Sequence, residues 1–135
     1  MDSEAPVLII DDDPAMTDMV KDILEAAGRR AAVARNAFHG LRLAREVKPA
    51  AVLCDLVMPD MSGSDVLRAL ASDPATARIP RVMMTGHQDA DRSCADGFLL
   101  KPFHAETMLK LLDTMFTLPR LATKSIGHTE LLWRG

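Results

Sequence analysis

The sequence predicts an α/β protein with a doubly wound, five-stranded parallel sheet. Two observations support this fold class. Five short apolar runs alternate with stretches whose apolar residues recur at helical spacing. The run at residues 50–54 is uninterrupted, which is typical of a strand buried on both faces of a parallel sheet. Strands that alternate with helices are joined by right-handed crossovers, so we expect helices on both faces of the sheet.

Each element has a local signal in the chain. The strands are predicted at residues 7–10, 30–34, 50–54, 81–84 and 98–100. Pro14 suits the first turn of the first helix, and Gly28 ends that helix. Asn36 can cap the second helix. The third helix is predicted to open at Ser64 or Asp65.

The connection between the fourth and fifth strands is short. Only 15 residues separate Thr85 from Lys101, and residues 98–100 of these belong to the fifth strand. Connections usually take about 2–6 residues each, so a shortened fourth helix of at most about two turns should fit, on residues 89–95. The amphipathic pattern of the last helix follows and includes residues 108–116.

Length and composition indicate one ordinary globular domain. The chain has 135 residues, 48% hydrophobic and 26% charged, enough to bury a single core. We assign residues 1–118 to this domain and residues 119–135 to a C-terminal tail. The net charge of −3 provides no basic surface for nucleic acid or an anionic membrane. The first apolar run, at residues 7–10, is far too short for a signal peptide or a membrane span, so we expect a cytoplasmic protein.

Polar side chains follow the ends of the predicted strands. They are Asp11 and Asp12 after the first strand, Asp55 after the third, Thr85 after the fourth and Lys101 after the fifth. Taken alone, Asp55 is equally well explained as a strand end that caps a turn. Because the carboxyl ends of parallel strands meet at the edge of the sheet that binds ligands, we expect all these side chains to converge there.

The converging carboxylates call for a cation. Three carboxylates in one place repel one another and are costly to remove from water. Asp11, Asp12 and Asp55 contribute −3 and Lys101 contributes +1, so the remaining −2 matches one divalent ion. Oxygen ligands favour a hard ion, and Mg²⁺ usually takes one or two carboxylates and keeps waters for a phosphate-bearing substrate. Phosphoryl transfer is therefore the chemistry that these residues suggest.

Four segments of the chain together are typical of one protein family. They are Ile9-Ile10-Asp11-Asp12-Asp13, Asp55-Leu56-Val57-Met58-Pro59-Asp60-Met61-Ser62-Gly63, Thr85-Gly86 and Phe98-Leu99-Leu100-Lys101-Pro102-Phe103. In this order and spacing they resemble the response-regulator receiver domains of two-component signalling, the CheY-like superfamily, over about residues 7–116. The resemblance implies a flavodoxin-like fold with the strand order 2-1-3-4-5, which agrees with the pattern of strands and helices.

The resemblance also implies a phosphoacceptor and a metal site. Asp55 would be the residue that is phosphorylated. Mg²⁺ would be held by Asp11, Asp12 and Asp55 together with the main-chain carbonyl of Val57.

Four further residues take roles by the same resemblance. Lys101, Thr85 and Gly86 would bind the phosphoryl group. Thr85 and Phe98 would form a switch that passes the phosphorylation signal to the surface of the domain. Many members of the family carry Tyr where this chain has Phe98, which can change its rotamer but has no hydroxyl group.

The implied function is a phosphorylation-dependent signalling switch. Its phosphoryl donor would be a phosphohistidine of a histidine kinase or a histidine phosphotransfer protein, and its output would be a contact with a downstream protein. We expect no enzyme activity beyond its own phosphorylation and dephosphorylation. Residues 119–135 are too few for an output domain, so the chain signals through protein contacts, relays phosphoryl groups or is part of a longer regulator.

Two other functions remain open at this point. A haloacid-dehalogenase-like phosphohydrolase would use Asp11 as nucleophile and Asp13 as general acid, although this leaves Asp55 unexplained. A receiver-like interaction module would never be phosphorylated. The tail, which contains Trp133, either covers apolar surface near Leu99 and the last helix, within one molecule or across a homodimer, or is a frayed terminus.

Overall fold

The computed structural model describes residues 5–117 of the protein. The strands are β1 (Val7–Ile10), β2 (Ala31–Ala34), β3 (Ala51–Asp55), β4 (Arg81–Thr85) and β5 (Gly97–Leu100). The helices are α1 (Pro14–Ala26), α2 (Ala37–Val47), α3 (Gly63–Ser72) and α4 (Ala105–Thr117). The tail assigned to residues 119–135, and the packing predicted for it, lie outside the described residues.

The five strands form one parallel sheet in the order β2-β1-β3-β4-β5. This order confirms the predicted fold class and topology. The chain builds the sheet outward from β1 in one direction and then from β3 in the other, so the direction reverses between these two strands. Ligand sites of doubly wound sheets lie at the carboxyl ends of the strands at this reversal. Asp11 follows β1 and Asp55 ends β3, so both carboxylates lie at that point.

Helices pack on both faces of the sheet, and the core consists of two apolar layers. α1 and α4 cover one face through Val20, Leu24, Met108, Leu111, Leu112 and Met115. α2 and α3 cover the other through Ala37, Ala44, Val66, Leu67 and Leu70. Successive residues of a strand point to opposite faces, and both faces are covered, so the strands are apolar apart from Arg81, Thr85 and Asp55 at their ends. None of the helices within residues 5–117 is long and apolar enough to cross a membrane.

Side-chain caps set the starts of α2 and α3, as another does for α1. Asn36 caps α2 as predicted, and its side chain accepts a hydrogen bond of 2.8 Å from a main-chain N–H of the first turn. α3 begins at Gly63 rather than at Ser64 or Asp65, because the hydroxyl of Ser62 accepts a hydrogen bond of 3.1 Å from the N–H of Asp65. A hydroxyl that satisfies an N–H group of the first turn makes Ser62 the N-cap.

The predicted short helix on residues 89–95 does not form. The connector between β4 and β5, residues 86–96, instead makes two turns, with hydrogen bonds from Ala90 N–H to His87 (3.2 Å) and from Ala95 N–H to Arg92 (3.0 Å). Two physical reasons explain the difference. A helix of two turns is only marginally stable, because it forms few hydrogen bonds to offset the free-energy cost of nucleation. In addition, the carboxylate of Asp91 accepts a local bond of 2.9 Å from a main-chain N–H, which competes with helix formation.

An ion pair fixes the end of the connector that lies far from the carboxylate cluster. Asp96 is only 2% exposed, and its carboxylate accepts a hydrogen bond of 2.9 Å from the main-chain N–H of Arg81. The Arg81 guanidinium lies 3.7 Å from the same carboxylate and donates to the carbonyls of Ala77 (3.0 Å) and Cys94 (3.4 Å). The pair therefore joins the loop before β4, the start of β4 and the end of the connector.

Replacement of Asp96 by Ala should destabilise the fold far more than replacement of Asp89, an exposed carboxylate of the same connector. Removing one partner of a buried ion pair costs ~3–5 kcal/mol, and Arg81 keeps its carbonyl partners, so we expect about 2–3 kcal/mol for Asp96→Ala. We expect less than about 0.5 kcal/mol for Asp89→Ala. Urea unfolding followed by circular dichroism measures both values. Equal losses would contradict the role given to the ion pair.

Candidate functional site

The strand registers bring the predicted carboxylates together. Ile10 of β1 pairs with Cys54 of β3, so Asp11 and Asp55, the next residue on each chain segment, lie side by side. Asp11 is fully buried and Asp55 is 9% exposed, whereas Asp12 is exposed. Oxygens of the three carboxylates, one from each residue, lie within 4.8 Å of one another. The sequence therefore predicted this cluster correctly.

The ammonium group of Lys101 bridges two of these carboxylates. Lys101 Nζ lies 2.9 Å from an oxygen of Asp55 and 3.1 Å from an oxygen of Asp11. The main-chain N–H of Lys101 donates to the carbonyl of Thr85 at 2.8 Å, which extends the pairing of β4 and β5 by one bond. From the end of β5, the lysine side chain reaches across β4 to β3 and β1. It is the cation that joins the ends of the strands.

Asp11 and Asp13 have separate tasks at the start of α1. The second oxygen of Asp11 accepts a hydrogen bond of 3.0 Å from the main-chain N–H of Asp13. The carboxylate of Asp13 accepts a bond of 3.0 Å from the N–H of Ala15 and caps α1. Asp13 is thus a helix cap, and its geometry gives no support to a general acid that acts together with Asp11.

The carboxylate cluster fits a hard divalent cation. Its donors are oxygens only, they lie close together, and three negative charges face one lysine. The fourth predicted ligand, the main-chain carbonyl of Val57, lies two residues after Asp55 in a loop where the Val57 side chain is 62% exposed. The metal role of this carbonyl stays a prediction.

Burial and neighbouring charges shift the pKa values of Asp55 and Lys101. Burial is the main cause that raises the pKa of Asp55; the hydrogen bond from Lys101 opposes this shift, and the charge of Asp11 adds to it. Partial burial alone would lower the pKa of Lys101, but the hydrogen bond with Asp55 and the charge of Asp11 outweigh burial and raise this pKa. Both groups therefore hold a proton more tightly than usual.

Thr85 ends the strand next to Asp55, and Gly86 begins the connector that follows it. Met84 of β4 pairs with Asp55, and Thr85 follows it at the end of the strand, 2% exposed. The Thr85 hydroxyl oxygen accepts a hydrogen bond of 3.0 Å from the N–H of His87, which leaves the hydroxyl proton for another acceptor. Gly86 is exposed, and no atom lies within 4 Å of the place of a Cβ there. Contacts of these residues with a phosphoryl group stay predictions.

Phe98 lies in β5 and carries a contact that the sequence did not predict. Its ring is partly buried against the apolar layer shared by α2 and α3. The guanidinium carbon of Arg92, an exposed residue of the connector, lies 3.8 Å from the centre of the ring, within the range of a cation–π interaction. The predicted switch residue is therefore in contact with the connector that replaces the fourth helix.

The loop between β3 and α3, residues 56–62 (the site loop), is held at both its base and its tip. At the base, Gly63 N–H donates to the carbonyl of Leu56 at 2.7 Å, and a Cβ at Gly63 would overlap the carbonyl of Asp55. At the tip, the carboxylate of Asp60 accepts bonds from the N–H groups of Ala37 (3.0 Å) and Phe38 (3.1 Å) in α2.

Sequence reasoning missed the contact of Asp60 with α2. The first N–H groups of a helix need acceptors from outside the helix, and Asn36 alone cannot supply them all. The need for acceptors at the start of α2 was the signal available in the sequence. It does not indicate which distant carboxylate accepts these hydrogen bonds. The backbone bonds, from Ala37 first and from Phe38, hold the pKa of Asp60 below its usual range.

Comparisons with known proteins agree with this geometry. The family model described as response regulator receiver domain matches residues 7–113. The chain is 36% identical to the DNA-binding dual master transcriptional regulator RpaA of Synechocystis sp., over 96% of the chain and 56% of that protein. It is also 36% identical to protein PilH of Pseudomonas aeruginosa, over 82% of the chain and 97% of that protein. The solved structure of the chemotaxis response regulator CheY4 of Vibrio cholerae matches with a TM-score of 0.74 and 29% identity, covering 81% of this chain and 96% of that one.

The fold, the carboxylate cluster and these similarities define a receiver domain, the phosphorylation-dependent switch of two-component systems. The chain belongs to the response regulator receiver domain family. It spans 56% of the length of RpaA but 97% of PilH. This membership, together with the capping role of Asp13, argues against the haloacid-dehalogenase-like alternative.

Asp55→Asn should stabilise the metal-free protein at neutral pH. The pKa of Asp55 is raised by folding, so its ionised form costs stability at pH values above this raised pKa. At pH values below the ordinary Asp pKa of about 3.9, the carboxyl group is protonated in both states and the cost disappears. We expect the melting temperature to rise by a few degrees at pH 7 in EDTA, and this gain to shrink as the pH falls towards about 4.

Asp22→Asn is the matched control, because Asp22 is an exposed carboxylate of α1. It should leave the melting temperature almost unchanged at both pH values. A lower melting temperature for Asp55→Asn at neutral pH would show that the Lys101 bridge outweighs burial and the charge of Asp11.

Proposed function

We propose that Asp55 accepts a phosphoryl group from a phosphohistidine of a histidine kinase or a histidine phosphotransfer protein. The observation that best supports this is the Lys101 bridge, in which one ammonium group binds both Asp55 (2.9 Å) and Asp11 (3.1 Å). A phosphoryl group on Asp55 brings new oxygens to the place where this ammonium already lies. Lys101 is therefore preorganised for the product as well as for the free carboxylate.

The proposed reaction is a direct displacement at phosphorus. A carboxylate oxygen of Asp55 forms a bond to phosphorus while the bond from phosphorus to the imidazole nitrogen breaks, and that nitrogen is left as neutral histidine after proton exchange with solvent. The product is an acyl phosphate. Lys101, the hydroxyl of Thr85 and the N–H of Gly86 hold its oxygens. Attack by water at phosphorus later releases phosphate and restores Asp55, so we propose no enzyme activity on a separate substrate.

Mg²⁺ is the cofactor that we propose for this site. Its ligands would be the carboxylates of Asp11, Asp12 and Asp55 and the main-chain carbonyl of Val57. The ion would neutralise negative charge on the transferring phosphoryl group, which Lys101 alone cannot do beside three carboxylates. The close spacing of the three carboxylates supports this assignment.

The proposed partners follow from this role. They are a histidine kinase or phosphotransfer protein upstream and a protein downstream, with a homodimer as a possible signalling form, all in the cytoplasm. We propose no direct binding to nucleic acid or membrane by this domain, because its net charge of −3 would oppose it. The DNA binding in the name of RpaA is a property of that protein, of which this chain spans 56%.

Radiolabelled acetyl phosphate should label the wild-type protein on Asp55, and only with a divalent cation. Asp55→Asn should lose all labelling, because an amide cannot act as the acceptor. Asp13→Asn is the matched control and should be labelled as well as wild type, since Asp13 caps α1. Peptide mapping identifies the modified residue. Label on Asp11 that depends on Asp13 would support a phosphohydrolase, and absence of any label would support an interaction module.

We also propose that phosphorylation is transmitted through Thr85 and Phe98 to the connector. When the Thr85 hydroxyl turns to the phosphoryl group, it gives up its bond with His87 N–H and frees the first turn of the connector. Space beside Thr85 then accepts the ring of Phe98, and the contact of this ring with Arg92 is lost. The two arrangements differ by few contacts, so a modest change at Asp55 can shift their populations.

Phosphorylation should therefore increase amide exchange in residues 86–95 as well as around Asp55. The expected change is roughly severalfold, because the two contacts that would be lost, the bond from His87 N–H to Thr85 and the cation–π contact of Arg92 with Phe98, are each weak. Hydrogen exchange measured by mass spectrometry, with phosphorylated wild type and identically treated Asp55→Asn, tests this. A change confined to Asp55 and its immediate neighbours would refute the proposed route.

A further inference from the structure

We propose that Asp60 is a positioning residue of the site, which anchors the site loop to α2 and thereby fixes the backbone at Val57. The proposal rests on the proposed function in one respect, because it takes the carbonyl of Val57 as a metal ligand. It adds a residue outside the carboxylate cluster, on which the geometry of that cluster depends.

The contact of Asp60 with α2 uses both oxygens of its carboxylate. One oxygen accepts from Ala37 N–H at 3.0 Å and the other from Phe38 N–H at 3.1 Å. These N–H groups belong to the first turn of α2 and have no acceptor within the helix. The positive end of the helix dipole further favours a negative charge there.

Asp60 does not replace the helix's own cap. Asn36 caps α2 independently, through a bond of 2.8 Å from His39 N–H to its side chain. The two side chains therefore bind different N–H groups of the same turn. Asn36 belongs to the chain that enters α2, whereas Asp60 comes from the site loop, 23 residues away from Ala37 in the sequence. The Asp60 hydrogen bonds therefore link the start of α2 to the loop that follows Asp55.

The position of Val57 depends on what holds this loop. The base of the loop is closed by Gly63, whose N–H binds the carbonyl of Leu56. Met58 is 9% exposed and packs in the core, which holds the loop against the body of the domain. Val57 is 62% exposed, so its own side chain adds little packing. Asp60 supplies the directional bonds that set the orientation of the exposed half of the loop.

A weaker anchor should thus affect the metal site without removing any ligand. A loop that samples several orientations presents its carbonyl to the metal for only part of the time, and the apparent affinity falls by that fraction. Residues that orient metal ligands typically contribute about 10–100-fold to affinity. Because one carbonyl among four ligands is involved, we expect an effect near the lower end of this range.

The test compares Asp60→Ala with Asn36→Ala in the full chain. Each variant removes one cap of α2, but only Asp60→Ala releases the loop. Amide exchange of residues 56–62 in the metal-free protein should rise roughly tenfold in Asp60→Ala, and the Kd for Mg²⁺, measured by isothermal titration calorimetry, should rise by about the same factor. Asn36→Ala should lower the melting temperature without either effect.

Two further variants separate anchoring from charge. Asp65→Ala removes an exposed carboxylate at the start of α3 that does not bind α2, and it should leave the Kd for Mg²⁺ within about twofold. Asp60→Asn keeps one acceptor oxygen and should give intermediate loop exchange. Equal effects of Asp60→Ala and Asn36→Ala, or of Asp60→Ala and Asp65→Ala, would overturn the proposal. If wild type binds no Mg²⁺, the proposed function and the metal part of this proposal both fail, while loop exchange still decides whether Asp60 is an anchor.

Discussion

Repulsion among the carboxylates of Asp11, Asp12 and Asp55 is the constraint around which this molecule is built. The parallel registers of β1 and β3 place two of these groups side by side. Burial, and to a lesser degree the charge of Asp11, raises the pKa of Asp55, although the hydrogen bond from Lys101 opposes this shift. Lys101 reaches across the neighbouring strands, and its ammonium group offsets part of the charge of both buried carboxylates. The site can therefore bind one more cation. It can also accept a phosphoryl group whose oxygens would contact the ammonium group of Lys101.

The surrounding structure holds this unfavourable arrangement in place. Two apolar layers fix the strands, so the carboxylates cannot separate without disrupting the core. The second oxygen of Asp11 is bound by the main-chain N–H at the start of α1, and Gly63 allows α3 to begin against the carbonyl of Asp55. Stability comes from the body of the sheet, and reactivity is concentrated at its edge. This separation of a stable core from a reactive edge is common where a fold holds charged groups in an unfavourable arrangement.

Much of this could be read from the sequence, because it follows from local pattern and parallel topology. The uninterrupted apolar strands predicted the sheet, and the strand ends predicted that Asp11, Asp55 and Lys101 would meet. The contacts that could not be predicted join residues with no shared periodicity. Asp60 binds a helix 23 residues earlier, and Arg92 lies over Phe98 across a turn. Each depends on the three-dimensional path of a loop, which apolar periodicity does not encode.

The expected helix on residues 89–95 was wrong for a related reason. Length showed correctly that little room was available, but the balance between a short helix and two turns depends on single side-chain bonds. The bond from Ser93 N–H to Asp91 and the ion pair of Arg81 with Asp96 both favour the turns. These interactions stabilise the turns by no more than a few kcal/mol. A helix of two turns would be stabilised by no more than that, so single side-chain bonds decide which structure forms.

The connector is held more firmly at one end than at the other. The Arg81–Asp96 pair fixes its far end to the start of β4, whereas its near end leaves β4 at Thr85, next to the acceptor carboxylate. A helix at this place would move as a rigid rod and carry displacement across the whole face of the sheet. A clamped segment instead bends most where it is least restrained. The surface that changes when Asp55 is phosphorylated should accordingly be small and lie close to the site. This favours partners that bind at the edge of the sheet near Asp55 over partners that bind across a face of the sheet.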